Sequence, residues 1–89
     1  MSETRNTAFI EAFGRKLREL RKLKDLTQED LAAKAEMEVR QLGRIERGEV
    51  NTTINTVSRL ADALDIHPVD LFEFPYQPLQ PAPEDEPSA

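Results

Sequence analysis

The chain has no cysteine and no tryptophan. Without thiols there is no disulfide framework and no thiolate metal site, and the absence fits a reducing cytoplasm. A single histidine, His67, has no partner of the kind that builds a metal centre. Three glycines, Gly14, Gly43 and Gly48, are scattered and form no phosphate-cradling loop. No apolar run approaches the roughly 20 residues that span a bilayer. The opening Met-Ser-Glu-Thr-Arg-Asn-Thr is followed by no long apolar core, so it does not read as a secretory signal. There is no Ser/His/Asp arrangement and no carboxylate cluster beyond Asp62 and Asp65, which sit i, i+3 as solvated acids do. These absences argue against an enzyme, a cofactor, a metal and a membrane partner.

What is present is charge, unevenly spread. The 89 residues carry a net −5. Residues 1–26 hold seven Lys/Arg against four Asp/Glu, and residues 27–48 come to −1. Residues 49–73 have one base and five acids, and residues 74–89 have three acids and no base. Surface charges further apart than about 8–10 Å are largely screened at physiological salt, so a local basic face survives an acidic total. The total still predicts weaker non-specific attraction to DNA than a basic domain would have.

The hydrophobic periodicity is helical throughout, and the fold class expected is all-α with five helices. The first runs from about Thr7 to Lys24, with Phe9, Phe13, Leu17 and Leu20 as its stripe and Ile10 and Leu23 widening it. Asp25 sits at a turn where a left-handed backbone is tolerated by Asp. Thr27 opens the second helix, and Asp30 three residues on completes a weaker form of the capping box; Leu31, Ala32 and Ala35 face inward, and the adjacent alanines predict a close helix neighbour. The third begins near Glu38, whose carboxylate suits a helix start. It carries Leu42 and Ile45, extended by Val39 or Met37, and stops at Gly48. The fourth follows Thr52 or Thr53 and buries Ile54, Val57, Leu60, Ala61 and Leu64. Pro68 starts a short fifth helix with Val69, Leu71 and Phe72, and His67 before it either caps that helix or lies exposed. Residues 1–73 read as one domain. Residues 74–89, with five prolines and Glu84, Asp85 and Glu86, read as an extended or disordered acidic tail.

Two short helices joined by a tight connection, over Thr27–Gly48, are the size of the unit that lays a second helix in the DNA major groove. Arg18 and Arg21, Leu26-Thr27-Gln28, Leu31-Ala32, Ile45-Glu46-Arg47-Gly48, Asn51-Thr52-Thr53 and Leu71-Phe72 fall in the order and spacing of a known family. From Phe13 to Phe72 the chain resembles the lambda-repressor/Cro-like helix-turn-helix regulators, also called the xenobiotic response element family. In size it is similar to restriction–modification controller proteins and small antitoxin-type repressors.

The resemblance implies a helix-turn-helix at helices 2 and 3. It implies base-reading by Glu38, Val39, Arg40, Gln41 and Arg44, phosphate contacts by Gln28, Asn51 and Thr53, and an internal ion pair between Arg21 and Glu46. The chemistry agrees. Arg40 and Arg44 are i, i+4 on one face, and an arginine fork matches guanine O6 and N7, with about 1–3 kcal/mol of discrimination per pair. Val39 suits a thymine methyl, Gln41 an adenine or a phosphate, and Glu38 a cytosine amine. Arg15, Arg18 and Lys22 read as a solvated face that adds electrostatic help. Two departures stand out. Glu36 occupies a position usually held by glycine, where a left-handed backbone costs it roughly 1 kcal/mol. Gly43 lies within helix 3 and weakens it by about 1 kcal/mol relative to Ala.

Phe72, Phe74 and Tyr76 are more aromatic surface than a short last helix needs, and they are expected either to cap the core or to form a dimer interface. The function expected is a cytoplasmic, sequence-specific transcription regulator. It would be a homodimeric repressor or autoregulator on a palindromic operator of double-stranded DNA. Two other readings stay open. One is an antitoxin whose acidic tail binds a basic protein partner. The other is a helix-turn-helix interaction module that does not bind DNA.

Overall fold

Asn6 opens the first helix by accepting the Phe9 amide on its Oδ1 at 3.0 Å. In the computed structural model, which describes residues 5–76, that helix (α1) spans Thr7–Leu23. It is followed by α2 (Gln28–Ala35), α3 (Val39–Glu46) and α4 (Ile54–Leu64), then a 3-10 helix over Pro68–Phe72. There is no strand among the described residues.

Three of the four α-helix starts are capped by a side chain: Asn6, Thr27 and Thr53. At α2 the box is reciprocal. The Asp30 amide donates to Thr27 Oγ1 and the Thr27 amide donates to Asp30 Oδ2, both at 3.0 Å. The backbone N–H of Thr27 stabilises the ionised carboxylate and holds Asp30 below its ordinary pKa. Thr53 caps α4 through the Thr56 amide at 3.0 Å. Glu38 holds the extended N-cap position of α3, but its side chain caps nothing; it is one methylene longer than the Asp and Asn that fit this position. The last segment, where a short fifth helix was expected from Pro68, is a 3-10 helix. Five residues close only i→i+3 bonds, with the Asp70 amide on the His67 carbonyl at 2.9 Å. His67 Nδ1 accepts the Val69 amide at 3.0 Å, so the histidine is a cap.

All four α-helices end in the same loop-back. In each, one amide just past the helix reaches the carbonyl five residues earlier: Leu26 to Arg21, Met37 to Ala32, Glu49 to Arg44 and Ile66 to Ala61, at 2.9–3.1 Å. The residue before each is left-handed: Asp25, Glu36 and Asp65 at φ 58–59°, and Gly48 at 75°. Leu26, Met37 and Ile66 tuck against the core as they follow, the apolar contact that accompanies this motif.

The core joins Phe13 and Leu17 of α1, Leu31, Ala32 and Ala35 of α2, Leu42 and Ile45 of α3, four residues of α4, and Leu71. The small Ala32–Ala35 face lets α2 lie against α4. Arg59 of α4 seals that contact. Its guanidinium donates to the Ala35 carbonyl at 2.8 and 3.1 Å, and to the carbonyl of Glu36. These are carbonyls that α2 leaves open at its end. α1 crosses α3 closely at Gly14, where a Cβ would stand 2.4 Å from the Ile45 carbonyl oxygen and 2.6 Å from that of Glu46. Two expected stripe residues point outward instead: Leu23 is 72% and Ile54 83% exposed. Each lies at an end of its helix, where no neighbouring element crosses to cover it.

Candidate nucleic-acid interface

α3 divides cleanly into two faces. Leu42 and Ile45 are fully buried, while Val39, Arg40, Gln41 and Arg44 are exposed together with Glu38. The inward pair fixes the helix's rotation, because turning it would expose two large aliphatic side chains at roughly 1.5–3 kcal/mol each. The outward residues therefore stay on one surface. Val39 is 40% exposed, with its apolar branch open to solvent. Asn51 and Thr53 lie exposed in the segment between α3 and α4. The Thr53 hydroxyl is already occupied, accepting the Thr56 amide and bonding the Thr56 hydroxyl at 3.0 Å.

Beneath this surface α1 is tied to α3. Arg21 Nε and Nη2 donate to the two carboxylate oxygens of Glu46 at 2.7 and 3.0 Å, and Arg21 Nη1 donates to the Leu26 carbonyl at 2.9 Å. Both side chains are buried. The hydrogen bonds that Arg21 donates to Glu46 raise its already high pKa further. Gln28, at the first position of α2, donates Nε2 to Glu46 Oε1 at 3.0 Å. A carboxamide has two N–H donors, so this leaves one for another acceptor.

Arg47, at the end of α3, pairs with Glu49 through Nε–Oε2 at 2.8 Å and Nη2–Oε1 at 3.4 Å. That hydrogen bond holds Glu49 below its ordinary pKa, and the charge of Arg44 adds to the effect. Gly43 makes room for the arginine. A Cβ there would stand 3.2 Å from Arg47 Nη1 and 3.8 Å from Gln28 Nε2. The sequence did not single out the Arg47–Glu49 bridge, Arg59 or the Gly14 crossing. The lone base between residues 49 and 73 was the available signal for Arg59.

Phe72, Phe74 and Tyr76 gather around Phe9, with ring centroids 6.1, 5.3 and 5.8 Å from it, and Phe72 also meets Phe13 at 5.2 Å. Composition assigned Phe74 and Tyr76 to the start of the tail, yet both rest on α1. Phe72 nevertheless stays 39% and Tyr76 63% exposed. Glu84, Asp85 and Glu86 lie outside the described residues. Among the described residues there is no His/Cys/Asp/Glu group that could hold a metal, and no helix long and apolar enough to cross a membrane.

A four-helix fold with an arginine-bearing third helix exposed on one side belongs to a defined class. Residues 17–71 match the helix-turn-helix family, and the chain is a member of it, a lambda-repressor/Cro-like DNA-binding transcription regulator. It is 33% identical over 63 residues to control protein C.BamHI of Bacillus amyloliquefaciens, covering 70% of this chain and 78% of that protein. The restriction–modification controller protein C.AhdI from Aeromonas hydrophila superposes with a TM-score of 0.72 at 43% identity, covering 73% of this chain and 98% of that one. The clp gene regulator ClgR from C. glutamicum gives a TM-score of 0.68 at 27% identity, covering 71% of this chain and 82% of that one.

Proposed function

We propose that the chain is a controller-type regulator that binds a palindromic operator as a homodimer and represses transcription there, its own included. In this reading α2 and α3 form the helix-turn-helix and α3 enters the major groove. Glu38, Val39, Arg40, Gln41 and Arg44 read base edges. Gln28, Asn51 and Thr53 contact phosphates, Thr53 through its backbone, since its hydroxyl already serves as a cap. The observation that carries the reading is the outward set of Val39, Arg40, Gln41 and Arg44, all exposed while Leu42 and Ile45 anchor the opposite face.

The dimer would form through Phe72 and Tyr76, with Phe74 supporting them from beneath. Ile54 and Val69 also expose apolar surface at that end, at 83% and 53%. Solvent-facing aliphatic and aromatic side chains in a cluster favour burial against a partner, and two copies would present two α3 helices about 34 Å apart.

Selection from randomised duplexes tests the whole reading. The expected result is an enriched inverted repeat bound by two chains, with affinity falling steeply as salt rises. An absence of enrichment at low salt would reject sequence-specific DNA binding. Enrichment of a single half-site by a monomer would reject the dimer.

A further inference from the structure

Arg47 directly follows the last residue of α3. It lies i+3 from Arg44 and i+7 from Arg40, so it continues their row along one side of the helix. Its side chain is still 59% exposed, and so is half of its partner Glu49. The guanidinium flanks the space left by Gly43, opposite the Nε2 of Gln28. Arg18 of α1 closes the other side. Together Arg18, Arg21, Gln28, Glu46 and Arg47 line a notch of about 380 Å³. Three guanidinium groups face one carboxylate there, and that carboxylate is consumed by Arg21 and Gln28. Among the described residues no carboxylate pairs with Arg18.

We propose that this notch takes one phosphate of the DNA backbone, with Arg47 as its main ligand, Arg18 and the second N–H of Gln28 as supports, and Glu49 as a stand-in that occupies Arg47 until DNA arrives. The proposal rests on the DNA-binding reading above. Glu49 grips the arginine through two oxygens, the same fork-to-fork geometry by which an arginine holds a phosphate. A carboxylate bound in this way competes directly with the nucleic acid. Exposed ion pairs contribute little to stability, so the exchange is reversible. The consequence is a damper on affinity that acts on every sequence alike. Arg21 takes no part in the exchange, because Glu46 and the Leu26 carbonyl hold it from within.

The test is a set of fluorescence-anisotropy salt titrations on the duplex enriched by selection and on a scrambled duplex of the same length. The proteins are the full chain and its Glu49→Gln, Arg47→Ala and double variants, each checked for fold by circular dichroism. Glu49→Gln should tighten binding to both duplexes by up to roughly fivefold, the free energy of an exposed pair expressed as affinity. Arg47→Ala should weaken both and make the log–log salt slope shallower by about 0.9. On the Arg47→Ala background the Glu49→Gln gain should vanish. A gain that persists there in full would mean Glu49 only repels DNA, and would overturn the proposal. So would an Arg47→Ala salt slope equal to the parent's. Parent protein that binds neither duplex at low salt would instead sink the DNA-binding reading itself, and the notch with it.

Discussion

Alanine in place of glycine should have opposite effects at two positions of this fold. Both Gly14 and Gly43 lie within α-helices, and helix propensity alone predicts that each Gly→Ala change stabilises by about 1 kcal/mol. The surroundings decide otherwise at Gly14. The added methyl would stand 2.4 and 2.6 Å from the carbonyl oxygens of Ile45 and Glu46, and 2.9 Å from the Glu46 carbonyl carbon. Non-bonded heavy atoms prefer roughly 3.5 Å or more, so relief needs α1 and α3 to separate by about 1 Å. The atoms in the way are backbone and have no rotamer to change. Separation also stretches the Arg21–Glu46 bonds that join the same two helices. Overpacking costs about 1–3 kcal/mol, and the upper end applies here, leaving a net loss of about 2 kcal/mol after the propensity gain. For a domain of this size that lowers the melting temperature on the order of 10 °C. At Gly43 the nearest obstacle is Arg47 Nη1 at 3.2 Å, the free end of an exposed side chain. It can swing away, so Gly43→Ala should raise the melting temperature by several degrees, up to the ~1 kcal/mol of propensity. Thermal unfolding by far-UV circular dichroism reads both. A Gly14→Ala protein as stable as the parent would refute the close-crossing argument.

Three further outcomes are expected. Glu46→Ala should destabilise by about 3 kcal/mol, because Arg21 then stays buried without its counter-charge; urea denaturation measures this, and a loss under 1 kcal/mol would contradict it. Asp30 has a depressed pKa in the folded state, so its contribution is fully present above the ordinary carboxylate pKa and is lost as pH falls through the folded value. Asp30→Asn should therefore flatten the decline of stability on acidification toward pH 3, and an unchanged pH profile would count against the box. Arg44→Ala should weaken specific binding and relax preference at one or two base positions, whereas Gln28→Ala should weaken all duplexes alike; competition binding on duplex libraries separates the two.

The starts of α2 and α4 and most of the buried stripe were legible because their causes are local. Thr27 with Asp30, Thr53, and Leu42 with Ile45 act within three residues of one another. The exposure of α3's outward residues was legible too, since burial of Leu42 and Ile45 leaves the rest nowhere else to point. Ile54 misleads because it satisfies the helical period of α4 while lying at the helix's first position, where no other element passes. The fifth helix was short enough that Pro68 and the burial of Leu71 fixed its place without fixing its hydrogen-bond type. Arg59 on the Ala35 carbonyl and Gly14 beneath Ile45 are relations between segments more than twenty residues apart, and nothing in the neighbouring sequence announces them. The Arg47–Glu49 bridge is local, yet it looks like any pair of surface charges until Gly43 and Gln28 are seen beside it.

The four helix ends have one more consequence. A left-handed backbone is easy for glycine and unfavourable for other residues by roughly 1 kcal/mol or more, less for aspartate. Three of the four corners are built from Asp25, Glu36 and Asp65, so the fold carries on the order of 2–3 kcal/mol of tension at sites where no side chain is needed for the core. Against the 5–15 kcal/mol that holds a typical domain together, that is slack a glycine could partly remove. The domain folds below its attainable stability, and Glu36 spends part of that margin while setting a negative charge at the corner that leads into α3.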